Sequence, residues 1–215
     1  MQNRFRHSKS SRYGFSLIEL LVVIALMVVV GGIAVPNFNN IARGTKIGQA
    51  GQLLQDKLRI ARQTAITRNR TVEVRFYQYT DALAGVGPSQ PAFRSVQTFL
   101  VENNGQTTAL DKVQALPNSI IMDGGPISTL LGSRQDKAGA WTSADPQVRI
   151  PQAGTNYQCR ALRFYSDGST SLDNGALWYV TLHEGILGDN LAQPPKNFCT
   201  LQVDPINGYV QVFRL

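Results

Sequence analysis

The sequence predicts an α+β fold, one long N-terminal helix packed on a mainly antiparallel sheet. Three observations lead there. An apolar run from Leu20 to Val35 is followed by Ile47, Ala50, Leu54, Leu58, Ala61 and Ala65, which step by three or four residues and form the apolar face of an amphipathic helix. After Asn69 the period falls from about four to two. From there on, short apolar or alternating segments are separated by Gly, Pro, Asn and Asp, the layout of antiparallel strands beside a helix.

The helix is expected from about Phe15 to Arg68. Pro36 removes one backbone hydrogen bond inside the helical pattern, so a kink is expected there, and Gly31 and Gly32 soften the same region. The polar face of the second half carries Gln52, Gln55, Lys57, Arg59, Arg62 and Arg68. Val72, Val74 and Phe76 alternate with Glu73, Arg75 and Tyr77, which reads as a half-buried strand. Residues 80–92 read as a loop, Phe93 to Val101 as a second strand, and Asn103-Asn104-Gly105 as a turn. Ser119 to Met122 is a short candidate strand, and residues 123–146 read mostly as loop. Ala161 to Tyr165 and Trp178 to His183 are further strands, with a turn at Asp167-Gly168. Cys199 to Val203 and Tyr209 to Phe213 form a terminal hairpin around Asp204-Pro205-Ile206-Asn207-Gly208.

The N-terminus carries the most functional information. Residues 1–14 contain Arg4, Arg6, Lys9 and Arg12 and no acid. Gly14-Phe15-Ser16-Leu17-Ile18-Glu19 follows, and then the apolar run. A secretory signal places its small-residue cleavage site after the apolar core; here the small residue precedes it. Residues 15–38 would extend about 36 Å as a helix at roughly 1.5 Å per residue, enough for a hydrocarbon core of about 30 Å. The basic flank favours a cytoplasmic N-terminus, with the rest of the chain outside the cytoplasmic membrane. A carboxylate inside a membrane-length helix costs roughly 2.5–3.5 kcal/mol near the bilayer centre, so Glu19 is a functional candidate. The plainer reading is a simple anchor with Glu19 at the headgroup level.

Gly14-Phe15-Ser16-Leu17-Ile18-Glu19 resembles the N-terminus of type IV pilins and type II secretion pseudopilins. The resemblance implies that a prepilin peptidase cuts between Gly14 and Phe15, that Phe15 is then N-methylated, and that Glu19 serves filament assembly. Pro36 stands where pilins have a proline. Leu58 to Val72, with Ala61-Arg62, Ala65-Ile66 and Arg68-Asn69, resembles the helix-to-strand signature of GspH/FimT-type minor pseudopilins. Phe164 to Ser169 and Asp204 to Phe213 resemble their later strand and terminal hairpin. Residues 61–81 are also similar to the Verru_Chthon cassette protein D group. These likenesses cover the N-terminal third and scattered strands; residues 85–154 resemble nothing in particular. The implied organisation is a leader at 1–14, a membrane and assembly helix at 15–38 and an extracytoplasmic domain at 39–215. Other pilins or pseudopilins, the peptidase and the membrane are the implied partners, and the implied place is the inner membrane, a pilus or a pseudopilus. The carboxylate of Glu19 is expected to pair with the Phe15 ammonium of an adjacent subunit.

The remaining chemistry is sparse. Cys159 and Cys199 are the only cysteines; in an oxidising compartment they read as one disulfide, and two buried thiols are the alternative. The chain has 21 Lys and Arg against 14 Asp and Glu, and loss of the leader's four cations lowers the net from +7 to about +3, which weakens the case for nucleic acid. Lys57, Arg59, Arg62, Arg68 and Arg70, with Arg75 beyond them, could line a phosphate-tracking stripe. Some FimT-like pilins are implicated in DNA capture, which keeps that partner open, but the residues spread over more than one helix face and a solvated face explains them. His7 and His183 are the only histidines. His183-Glu184 lacks a nucleophile elbow or phosphate loop, so no enzyme activity is expected. Asp167-Gly168-Ser169 and Asp173-Asn174-Gly175 offer oxygens for calcium without EF-hand spacing, and turn roles explain them. No metal and no cofactor is expected. Three function classes remain: a minor filament subunit, a DNA-binding pilus subunit and a stand-alone membrane-anchored surface protein.

Overall fold

The computed structural model describes residues 15–80, 90–132, 141–142, 148–151 and 153–214, and only the backbone of 32–43 and 141–142. The chain divides into two compact units, Met1–Ala42 and Arg43–Leu215. Helix α1 is assigned to Leu17–Arg68. The kink expected at Pro36 lies outside the residues whose side chains are described. Asn69 ends the helix in the left-handed region at φ 49°, and the amide of Arg70 closes back on the Ala65 carbonyl at 3.1 Å, a capped C-terminus that suits asparagine.

The second unit is the far half of α1 laid on one large sheet. Its strands are β1 (Val72–Tyr79), β2 (Ala92–Val101), β3 (Thr107–Ala109), β4 (Gln114–Ala115), β5 (Ile120–Met122), β6 (Trp141–Thr142), β7 (Gln158–Phe164), β8 (Trp178–Glu184), β9 (Cys199–Val203) and β10 (Val210–Arg214). The order is β10-β9-β8-β5-β2-β1-β7-β6, with β3 and β4 beside β2, and all pairings are antiparallel. The helical stripe Ile47, Ala50, Leu54, Leu58, Ala61 and Ala65 is buried against Val72, Val74, Phe76, Leu162, Trp178, Val180, Leu182, Leu201 and their neighbours. Each fully buried leucine there is worth about 1.5–3 kcal/mol. At Gly51 the helix lies close to β9: a Cβ there would lie 2.6 Å from Cys199 Sγ.

Three expectations need correction. First, β1 is not half-buried. Glu73, Arg75 and Tyr77 are as buried as Val72, Val74 and Phe76, because Val148, Ile150 and Tyr157 cover the second face with Tyr77, Tyr79, Phe99 and Cys159. Alternation reports one buried face and is blind to a second layer. Second, the short strand β6 falls in a stretch expected to be loop, β3 and β4 fall in a stretch given no element, and β7 starts three residues early.

Third, Cys159 and Cys199 are not joined to each other. Cys159 packs in the cluster on the second face and Cys199 in the helix-facing core. Five strand steps separate β9 from β7, about 24 Å at roughly 4.8 Å per step, against a Cα limit near 7 Å for a disulfide. Burial pushes the Cys199 thiol up, with nearby Arg214 opposing only part of the shift. Non-reducing peptide mapping of the folded protein is therefore expected to recover Cys159 and Cys199 on separate peptides; a linked peptide would overturn this topology.

Candidate assembly site at the head of the helix

Ser16 and Glu19 start α1 together. The Ser16 hydroxyl accepts the Glu19 amide at 3.2 Å, and Glu19 Oε2 accepts the Ser16 amide at 3.5 Å, the outer limit of a hydrogen bond. This is a capping box, Ser-x-x-Glu, which satisfies two amides that the helix leaves open. The spacing Ser16-Leu17-Ile18-Glu19 was the available signal, and the sequence reading passed over it in favour of the charge alone. Glu19 thus has a partner within its own chain, one residue from Phe15.

Beyond the cap, the described side chains are apolar and uncovered. Phe15 is 79% exposed, Leu17 81% and Met27 69%, and Leu20 to Val30 contributes an unbroken series of exposed aliphatics. An apolar surface of this extent marks a contact with lipid or protein. Among the described residues no helix is long and apolar enough to cross a membrane; the expected segment 15–38 runs on into 32–43, whose side chains lie outside the description. The leader 1–14, with the Gly14 side of the cleavage site, also lies outside the described residues.

The basic residues do not form one stripe. Lys57 pairs with Asp111, whose carboxylate also accepts the Thr98 amide and hydroxyl. Arg62 donates to the Asn207 carbonyl at 2.6 Å and lies over the Tyr209 ring at 4.7 Å, so it clamps the β9–β10 turn to the helix. Arg70 pairs with Glu102 at 2.9 Å. Of the five nominated residues, Arg59 and Arg68 are the two exposed ones. Three cations spent on intrachain contacts are poor phosphate trackers.

The other candidates have structural employment. His183 is fully buried next to the last residue of β8, out of reach of a substrate in solution. Asp167 accepts the Ser169 amide and hydroxyl, which together hold its carboxyl below the ordinary value. Asp173 accepts the Gly175 amide. Both are turn roles, and no cluster of three metal-ligating side chains occurs among the described residues. Arg160 in β7 is 1% exposed, and burial lowers its guanidinium to about 10. Sequence reasoning missed Glu73, which is 1% exposed and accepts from Arg75 Nε at 2.7 Å and Arg163 Nε at 2.8 Å; acids and bases at alternate positions of a strand gave no hint of burial.

Comparison with known proteins places the N-terminal features. Residues 9–35 match the family model described as the prokaryotic N-terminal methylation motif. No curated protein matches the chain in sequence. Among solved structures, it is similar to the type IV minor pilin FimU of Pseudomonas aeruginosa (strain PAO1), at 11% identity and TM-score 0.43, over 79% of this chain and 89% of that one. Two structures of the minor pseudopilin EpsH from the type 2 secretion system of Vibrio cholerae are also similar. One has 10% identity and TM-score 0.42 over 79% and 97% of the two chains; the other has 12% and 0.40 over 79% and 94%. The matched motif at residues 9–35 thus spans the head of a long helix whose far half packs on an antiparallel sheet, an α+β fold.

Proposed function

We propose that the chain is a GspH/FimT-type minor pilin or pseudopilin, a structural subunit of a type IV pilus or a type II secretion system rather than an enzyme. In this reading a prepilin peptidase cuts between Gly14 and Phe15, Phe15 is N-methylated, and the exposed apolar half of α1 passes from the inner membrane into a filament. The domain from residue 39 onward then lies in the periplasm or outside the cell. The observation that carries the reading is the methylation motif at residues 9–35, set at the head of a helix whose aliphatic side chains from Leu17 to Val30 are uncovered. Such a surface needs lipid before assembly and neighbouring helices after it.

Mass spectrometry of protein from peptidase-competent cells is expected to find a mature chain beginning at methyl-Phe15. Gly14→Val is expected to retain the leader, because a branched side chain crowds the scissile bond. Wild-type protein that keeps Met1 in such cells would overturn the proposal. A DNA-binding subunit is not favoured, since Lys57, Arg62 and Arg70 are engaged within the chain.

A further inference from the structure

We propose that Asp123, a His183 imidazolium and the Leu191 amide form a latch that fastens the segment after β8 to the sheet, and that loss of the His183 proton releases it. The geometry sets the charge. His183 and Asp123 are both fully buried. His183 Nδ1 lies 2.9 Å from the Glu184 carbonyl oxygen, an atom that can only accept. Nε2 lies 3.1 Å from Asp123 Oδ2. That same oxygen accepts the Leu191 amide at 3.1 Å, and Asp123 Oδ1 accepts the Gly125 amide at 2.7 Å. Two amide donors aimed at the carboxyl favour its ionised form. Both ring nitrogens of His183 therefore face acceptors, and only the doubly protonated ring donates to both. A neutral ring would turn a lone pair on one of them, an unsatisfied contact in a buried site.

The segment held this way lies directly on backbone. A Cβ at Gly125 would stand 2.3 Å from Asn190 Oδ1 and 2.5 Å from its Cα, and one at Gly124 would stand 3.1 Å from Asp189 Oδ2. The Gly124 amide donates to Asp189 at 2.7 Å. Residues 189–191 thus cross over the two glycines that follow Asp123, and Asn190 takes a left-handed φ of 65° to do so.

The groups around the ring set its electrostatic surroundings. Burial pushes the Asp123 carboxyl up, but the His183 hydrogen bond and the Leu191 and Gly125 amides outweigh it and hold the carboxyl below its ordinary value. A lowered carboxyl contributes fully above the ordinary range and is lost only as pH falls through the lowered value. Burial raises Asp189, against the Gly124 and Asn190 amides, and Asp189 senses the charges of both Asp123 and His183. From β5 the ring meets Ile121, which is not titratable. Beyond Glu184, Arg94 approaches Gly185, with a guanidinium nitrogen 3.9 Å from the position of a Cβ there. On β9 the first titratable group is Cys199, in the helix-facing core. Asp123 therefore stays ionised above the carboxylate range, and both atoms facing the ring keep their need for a donated proton.

The test uses mature full chain labelled with 15N-histidine, in which His183 is the one histidine left if the leader with His7 has been removed. The expected result at pH 6 is a ring with both nitrogens protonated. As pH rises, deprotonation of the ring should lower the hydrogen-exchange protection factor of the Leu191 amide by about tenfold or more, with the overall circular dichroism unchanged. Asp123→Asn, which keeps shape and removes charge, should give a neutral ring at pH 6 and the same loss at Leu191. A neutral wild-type ring at pH 6 would overturn the proposal, as would a titrating ring with unchanged Leu191 protection. If Asp123→Asn does not fold, the wild-type titration decides alone.

Discussion

Glu19→Gln is expected to leave the chain folded, cut and methylated, yet to reduce its incorporation into filaments by on the order of a hundredfold, the lower end of the roughly 3–5 kcal/mol lost when a buried charge loses its partner. The reasoning separates two jobs of one carboxylate. Within the chain, Glu19 closes a capping box with Ser16, and glutamine at the same position can close that box too. Between chains, Glu19 is proposed to meet the Phe15 ammonium of a neighbour, and methylation of that amine keeps its charge. Glutamine preserves the first job and abolishes the second. Ser16→Ala does the reverse, at about 0.5–2 kcal/mol for a lost cap, and is expected to assemble with a modest defect. The readout is the ratio of filament-associated to membrane-associated protein. Wild-type assembly of Glu19→Gln together with failure of Ser16→Ala would mean that the residue serves the cap and that the ion-pair mechanism is wrong.

Glu73→Ala is expected to cost the folded domain about 3–5 kcal/mol, the range for breaking a buried pair by removing one partner. Glu73 accepts from two arginines on the covered face of the sheet. One of them, Arg163, is half exposed and can turn to water. The other, Arg75, has a side chain only 8% exposed and lies 4.0 Å over the Phe99 ring. Without the carboxylate it keeps the Thr107 hydroxyl at 3.0 Å and loses its counter-charge. Glu73→Gln retains an acceptor and is expected to cost less than the alanine. Urea unfolding of the domain measures both, and a loss below about 1 kcal/mol for Glu73→Ala would place Arg75 among surface pairs, whose worth is small.

The helix was legible because every apolar residue of its stripe, Ile47 to Ala65, points to one partner, and periodicity records that directly. The positions of the main strands were legible for the same reason, though not every edge. What periodicity could not supply was a second layer. Glu73 and Arg75 read as solvent-facing because they are charged and alternate with valines; their burial depends on residues 148–157, which lie far along the chain and have no pattern of their own. The two- and three-residue strands β3, β4 and β6 borrow their structure from β2 and β7 and have too few residues to show a period. The cysteine pairing failed on topology: compartment chemistry argued that two thiols should join, and strand order set them five strands apart. At the head of the helix the Ser16-x-x-Glu19 spacing carried the cap, which a reading by charge alone does not see.

The seat of the helix has a consequence in time. Arg214 donates to the Gly48 carbonyl at 3.2 Å, across 166 residues of chain, and Cys199 fills the space opposite Gly51. The first part of the domain to be synthesised therefore rests on the last. Until β9 and β10 have left the ribosome, the stripe from Ile47 to Ala65 lacks part of its cover, however well the helix itself has formed. Contacts this distant make folding slow and leave apolar surface open meanwhile. In the proposed reading, a chain held at the membrane by the head of its helix would wait there until residues 199–214 arrive to close the core.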